Sequence, residues 1–324
     1  MNNTYKLAIG ILLSLIGLYY AFSGLDFDSL WINLQRINIF YILTVFLLFI
    51  YSVYIRSKRW QILLRPSINI SCKPLFSATI IGYFGNSVLP FRLGELLRGY
   101  SLSKDCTLKV STIMGTIVLD RILDITGLFL VSVFFVFVFP LEDWLKTGLI
   151  AMAIVITIAL AIVIIITKKK MNWEKYTNNI LSQTKGSLKK ILNFIINILN
   201  GFVQLGNTKN IGIIFFYTMY LWLIYFFCLY IVVIALNVDL SWMQAGLLLI
   251  ATTLSISVPA APGYIGTYHA VVIYMMVSVF GQETEISQSL AIVLHAVGFI
   301  PFVIVGAWFF AKSSVRLADI KNES

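Results

Sequence analysis

The chain has 324 residues, 59% of them apolar and 12% charged, with a mean hydropathy of +0.90. Such a composition excludes a soluble globular domain and implies a polytopic membrane protein whose main solvent is lipid. The formal charge of +10 at pH 7 falls in clusters between apolar runs, as in cytosolic loops of membrane proteins, and no nucleic-acid partner is expected.

The first apolar run, Leu7 to Phe22, reads as a retained span and not a signal peptide, because no small-x-small cleavage site stands out before the next run. Five more runs approach the ~20 residues that a hydrocarbon core requires: Ile39 to Ile55, Val110 to Phe139, Thr147 to Thr167, Ile211 to Leu236 and Ile286 to Ala311. Two apolar pieces do not fit. Leu75 to Leu89 makes only about 22 Å of helix, fenced by Lys73 and Pro74 before it and by Pro90 and Arg92 after it. Trp242 to Phe280 is split by Pro259, Pro262, Gly263 and Gly266. Proline and glycine at membrane depth free backbone polar groups that only a cavity or protein burial can accommodate, and paired breaks of this kind point to a transport site.

Reading both broken pieces as re-entrant hairpins resolves the loop charges. The clusters Arg56, Lys58, Arg59, Arg65, Lys73 and Lys168, Lys169, Lys170, Lys175, Lys185, Lys189, Lys190, Lys209, with the tail Lys312, Arg316 and Lys321, then face the cytosol, while only Arg36 and Lys146 lie in outer loops. Both termini are cytosolic on this reading, in the cytoplasmic membrane. The predicted fold is all-α and polytopic, with about six spanning helices and two re-entrant broken-helix hairpins in an inverted repeat. Residues 1–324 form one membrane domain: a first repeat at 1–139, a second at 140–311 that includes the basic segment 168–210, and a cytosolic tail at 312–324. From Leu188 to Val203 the pattern is amphipathic, with lysines and asparagines opposite an Ile/Leu face, and predicts an interfacial or connecting helix.

Candidate polar residues gather in three places. Asn86, Pro90, Arg92, Gly94, Glu95 and Arg98 surround the first break. Glu95 and Arg98 stand at i,i+3 and can pair, and Arg92 precedes a helix amino terminus, a combination suited to phosphate. Asp120, Arg121 and Asp124 begin about 15 Å into the third run, with Arg121 and Asp124 also at i,i+3. An ionised group there must be paired or wet, so these residues either line a polar path or lock the hairpin to a span. His269 and His295, the only histidines, sit in apolar surroundings and either relay protons or bond a neighbouring backbone carbonyl. Cys72, Cys106 and Cys228 have no metal-ligand spacing and are expected to be free thiols. No cofactor or metal is expected.

In order and spacing, Asn86-x-x-x-Pro90-x-Arg92-x-Gly94-Glu95-x-x-Arg98, then Asp120-Arg121-x-x-Asp124, then Pro262-Gly263-x-x-Gly266 resemble the flippase-like family of lysylphosphatidylglycerol synthase transmembrane regions. The resemblance covers nearly the whole chain. It implies movement of a modified or phosphate-bearing lipid across the bilayer, with some relatives tied to polyprenol-linked glycan pathways. Two positions depart from the family pattern: Tyr264 replaces a second glycine, and His269 stands where a glutamate is usual, so that carboxylate's role is not carried over. The membrane region alone is expected, without the soluble aminoacyl-transfer domain, so lipid synthesis by this chain is not expected.

The leading expectation is therefore a lipid transporter rather than an enzyme, with membrane lipids of anionic or phosphate-containing headgroup as partners. The site residues are Asn86, Pro90, Arg92, Gly94, Glu95, Arg98, Asp120, Arg121, Asp124, Pro259, Pro262, Gly263, Gly266 and His269. One alternative is a polyprenol-phosphate-dependent glycosyltransferase that uses Asp26 and Asp28. Another is a non-catalytic partner of a separate lipid-modifying transferase.

Overall fold

The computed structural model describes residues 15–24, 26–89, 93–138, 210–257 and 262–313, with scattered positions between 147 and 192. All regular structure among them is helical. After the helical residues 15–22, α1 (Phe27–Gln35) starts at Asp26, whose carboxylate accepts from the Asp28 amide. Asn38 caps α2 (Ile39–Leu64) in the same way through the Phe40 amide. These short polar side chains satisfy donors that a helix start leaves open.

The first broken piece forms two helices, α3 (Cys72–Val88) and α4 (Gly94–Lys104). Pro74 lies in the first turn of α3, where a missing amide costs no helical bond. The two helices pack against each other on glycine: a Cβ on Gly85 would stand 2.8 Å from the Gly94 Cα, and a Cβ on Gly94 would overlap the Gly82 carbonyl and the Asn86 amide. Next comes α5 (Val110–Val138), then α6 (Ile211–Ala235).

The second broken piece forms α7 (Trp242–Ser257), a tight turn at Pro262–Tyr264, α8 (Ile265–Ile273) and a wide π-turn at Tyr274–Val279, followed by α9 (Thr284–Lys312). Gly263 has φ +74°, freely available only to glycine, and Tyr264 follows it into the left-handed region at φ 56°.

Among the described residues α2, α6 and α9 are long and apolar enough to cross a membrane. At 29 residues α5 is as long as α9, but it carries Asp120, Arg121 and Asp124. The ends differ from the expected ones most at α2, which runs to Leu64 instead of Ile55. The expected Thr147 to Thr167 span, the Leu188 to Val203 helix and most of the basic segment 168–210 fall outside the described residues, apart from the scattered positions.

Two apolar cores fix the arrangement. One joins α6, α7 and α9, with Phe135 of α5 seated on Gly246 of α7. The other lies beneath the first broken piece, where Trp60, Leu63, Leu75, Ala78, Leu102, Ile113 and Ile117 bring α2, α3, α4 and α5 together. The polar residues of interest sit beside this second core. On its far side α3 packs against α9, where a Cβ on Gly306 would stand 2.8 Å from the Ile80 carbonyl oxygen, and against the Pro262–Tyr264 turn.

Candidate functional site

Helical spacing builds the site. Asp120 and Asp124 are one turn apart on α5, and Arg56 and Arg59 are one turn apart on α2, so the facing helices present a two-by-two grid of opposite charges. Arg56 Nη1 lies 3.1 Å from Asp120 Oδ2 and 2.6 Å from Asp124 Oδ2. Arg59 Nη2 lies 2.6 Å from each aspartate. Arg59 is completely partnered, since its Nε also donates to Asp120 Oδ1 at 2.9 Å and its Nη1 to Thr218 Oγ1 of α6 at 3.0 Å.

The broken helix enters this grid through α4. Arg98 Nη1 is 3.1 Å from Asp120 Oδ2, and its guanidinium lies over the Trp60 ring, 3.9 Å from the centroid. Glu95 pairs with Arg121, which also donates to Asp124 Oδ2 at 3.2 Å. Asn86, at the end of α3, donates to Glu95 Oε1 at 3.3 Å. Arg56 Nη2 donates to the Tyr225 hydroxyl at 3.3 Å. Four guanidiniums thus meet three carboxylates, leaving one positive charge in excess among the described residues.

Sequence reasoning placed Arg56 and Arg59 with the cytosolic basic cluster, and the structure corrects this: both are buried, at 3% and 0% exposure. Their signal was a one-turn i,i+3 spacing, which answers the one-turn i,i+4 spacing of the acids on α5. Trp60, Thr218, Tyr225 and Tyr83, whose ring centroid lies 5.9 Å from the Arg56 guanidinium carbon, were also missed, because nothing local in the sequence sets them apart from other apolar-helix residues.

Of the expected residues, the structure brings Asn86, Glu95, Arg98, Asp120, Arg121 and Asp124 into one cluster, with Gly94 at the close approach of α3 and α4. The anticipated Arg121–Asp124 pair is present, and Glu95 and Arg98 stand 3.9 Å apart. Pro90, Arg92 and Pro259 lie outside the described residues.

Gly263, Gly266 and His269 belong to a separate group at the second break, whose turn begins at Pro262. There His295 Nε2 donates to the Gly263 carbonyl at 2.7 Å, and His269 Nδ1 meets the Ile265 carbonyl. The two imidazoles are 4.9 Å apart between centroids, flanked by Phe22, Tyr268 and Phe299. Each histidine bonds a backbone carbonyl, the simpler of its two anticipated roles. Gly266 packs against Gly17 of the first helical segment, closely enough that a Cβ on Gly17 would stand 2.7 Å from the Gly266 carbonyl oxygen.

An all-helical membrane protein with two broken helices and a buried, net-positive ion cluster is the class that this geometry defines. The family model for the lysylphosphatidylglycerol synthase transmembrane region matches residues 7–306, and the chain belongs to that family. It is similar to a UPF0104 membrane protein of Methanothermobacter thermautotrophicus, 22% identical over 306 residues, which cover 88% of this chain and 90% of that one. A UPF0104 membrane protein of Methanocaldococcus jannaschii is 23% identical over 252 residues, 74% of this chain and 99% of the relative. No solved structure matches the chain.

Proposed function

We propose that the protein moves a phospholipid, or a lipid-linked phosphate headgroup, across the cytoplasmic membrane, as a transporter and not an enzyme. The observation that carries this reading is the excess positive charge of the cluster together with Arg98, whose Nε and Nη2 have no hydrogen-bond partner among the described residues although the residue is buried. Nature rarely leaves a buried guanidinium underused, because each orphan donor forfeits its hydration. A phosphate oxygen is the natural complement of such donors, while acyl tails stay in lipid. Family membership supports a lipid-related role.

The glycosyltransferase alternative draws less support. Asp26 caps α1: its carboxylate accepts from the Ser29 hydroxyl at 2.6 Å and the Asp28 amide at 3.0 Å, and these bonds, the hydroxyl first, hold its pKa below the ordinary value. Such a carboxylate serves as the amino-terminal cap of α1.

The test is a leaflet-resolved headgroup assay in proteoliposomes at matched protein density. Arg98→Lys keeps the charge but loses the planar fork, and is expected to slow headgroup movement about tenfold at normal protein level. Arg92→Ala, removing the charge ahead of α4, is expected to come near abolishing it. Wild-type rates in both variants would assign the charges to structure alone.

A further inference from the structure

The ion cluster is graded. Arg59 and Asp120 are fully enclosed, while the side chains of Asp124 and Glu95 keep 17% and 19% of their exposure and Arg121 keeps 34%. Arg56, Arg59, Arg98 and Asp120 are therefore the inner end, and the Glu95–Arg121 pair, with Asp124 beside it, is the end that a ligand meets first.

Most of the unmet hydrogen bonding of the cluster lies where the broken piece enters it. Among the described residues, six buried side-chain polar atoms lack a hydrogen-bond partner, and five belong to the cluster: Arg56 Nε, Asn86 Oδ1, Glu95 Oε2, Arg98 Nε and Arg98 Nη2. Four of these five are on Asn86, Glu95 and Arg98, the residues of the broken piece. A half-satisfied polar network is costly, and its members gain when a further polar group completes it.

We infer that Glu95 is the protein's own counter-anion, holding Arg121 while the site is empty and giving it up when a phosphate arrives. The inference rests on the phosphate-headgroup reading above. Glu95 lies in the first turn of α4, directly after the break, whereas Arg121 belongs to the long helix α5. Their bridge therefore ties the broken piece to its neighbour at one point. The Arg98–Asp120 contact ties it at a second, deeper point.

A phosphate oxygen on Arg121 and on the open nitrogens of Arg98 takes over the work of the Glu95 carboxylate. Asn86 Nδ2, already 3.3 Å from Glu95 Oε1, keeps the released carboxylate hydrogen-bonded. The start of α4 then loses its outer tie while Arg98 remains as the pivot. Ligand occupancy and hairpin attachment become alternative states of one arginine, and the carboxylate returning to Arg121 helps to expel the phosphate.

The test measures binding to the full chain in detergent by calorimetry, using dihexanoyl phosphatidylglycerol, inorganic phosphate and zwitterionic dihexanoyl phosphatidylcholine, alongside headgroup movement in proteoliposomes. Glu95→Gln keeps shape and loses charge, and is expected to bind phosphatidylglycerol about tenfold more tightly, the worth of one charged hydrogen bond, yet to move it more slowly. Glu95→Asp, with its charge kept and its reach shortened, is expected to tighten binding by a smaller factor, and it covers the case in which Glu95→Gln does not fold.

Arg121→Gln is expected to lose binding with either residue at position 95. Tightening for both phosphatidylglycerol and inorganic phosphate supports a site that reads the phosphate itself, and tightening for the lipid alone supports one that also needs glycerol or tails. Tightening for inorganic phosphate alone supports the exchange but makes free phosphate the ligand, which overturns the lipid reading. Equal or stronger response to phosphatidylcholine overturns selection for net negative charge. Wild-type binding with no gain in either Glu95 variant overturns the counter-anion, whereas absence of binding in the wild type overturns the phosphate reading itself.

Discussion

Asp120 meets guanidiniums from α2 and α4 at once, through Arg56, Arg59 and Arg98, and is wholly buried. Removing its charge strands cations whose desolvation is already complete, and breaking a buried pair costs roughly 3 to 5 kcal/mol. Asp120→Asn is thus expected to lower the thermal unfolding midpoint in detergent sharply, while Lys58→Gln, two positions from Arg56 but only partly buried, stays within about 0.5 kcal/mol of the parent. Similar midpoints for the two variants would place Asp120 in water. The contrast also measures what the sequence could tell. Arg56, Lys58 and Arg59 look alike when charges are counted along the chain, and counting by loop assigns all three to one side of the membrane. Which face of α2 each occupies, and that α5 offers acids at a one-turn spacing to meet them, is a fact of two helices together. The acids and the hairpin charges were legible because a carboxylate or arginine in an apolar run is anomalous by itself.

At the scale of the element, the first broken piece depends on contact between backbones. Gly82, Gly85 and Gly94 let α3 and α4 approach closely enough for Arg98 to reach Asp120 and for Glu95 to reach Arg121. Gly94→Ala adds one methyl against the Gly82 carbonyl and the Asn86 amide, neither of which is the end of a flexible side chain. Overpacking of this kind costs about 1 to 3 kcal/mol. It is expected to lower the unfolding midpoint and to weaken headgroup movement together, since the charges shift with the helix; unchanged values of both would mean that the helices separate without consequence. The breaks themselves were legible from proline and glycine, and most helix ends fell close to the apolar runs. The end of α2 was not, because hydropathy stops at the first arginine, whereas the helix continues wherever its charges find partners. The π-turn at Tyr274–Val279 has no sequence signal either, for it lies inside an unbroken apolar run.

At the scale of the whole molecule, a helix of the first broken piece meets the turn of the second. The first broken piece packs on α9 and on the Pro262–Tyr264 turn, and His295 of α9 holds that turn by the Gly263 carbonyl. If the two broken pieces enter from opposite sides, as the loop charges of the sequence imply, the contact of α3 with the second turn defines a depth in the membrane that both leaflets approach, which is what alternating access requires. The orientation is open to direct measurement. With Cys72, Cys106 and Cys228 replaced, single cysteines at Ala260 and Ala261 are expected to react with an impermeant thiol reagent added from the outer side, and cysteines at Ser71 and Lys73, at the start of α3, from the cytosolic side. Reaction of both sets from the cytosol alone would put the two breaks on one side and remove the inverted arrangement, leaving the ion cluster as a lock between helices. Reaction of Ala260 and Ala261 from both sides in sealed vesicles, suppressed by phosphatidylglycerol, would instead show that the second turn is the point at which access alternates.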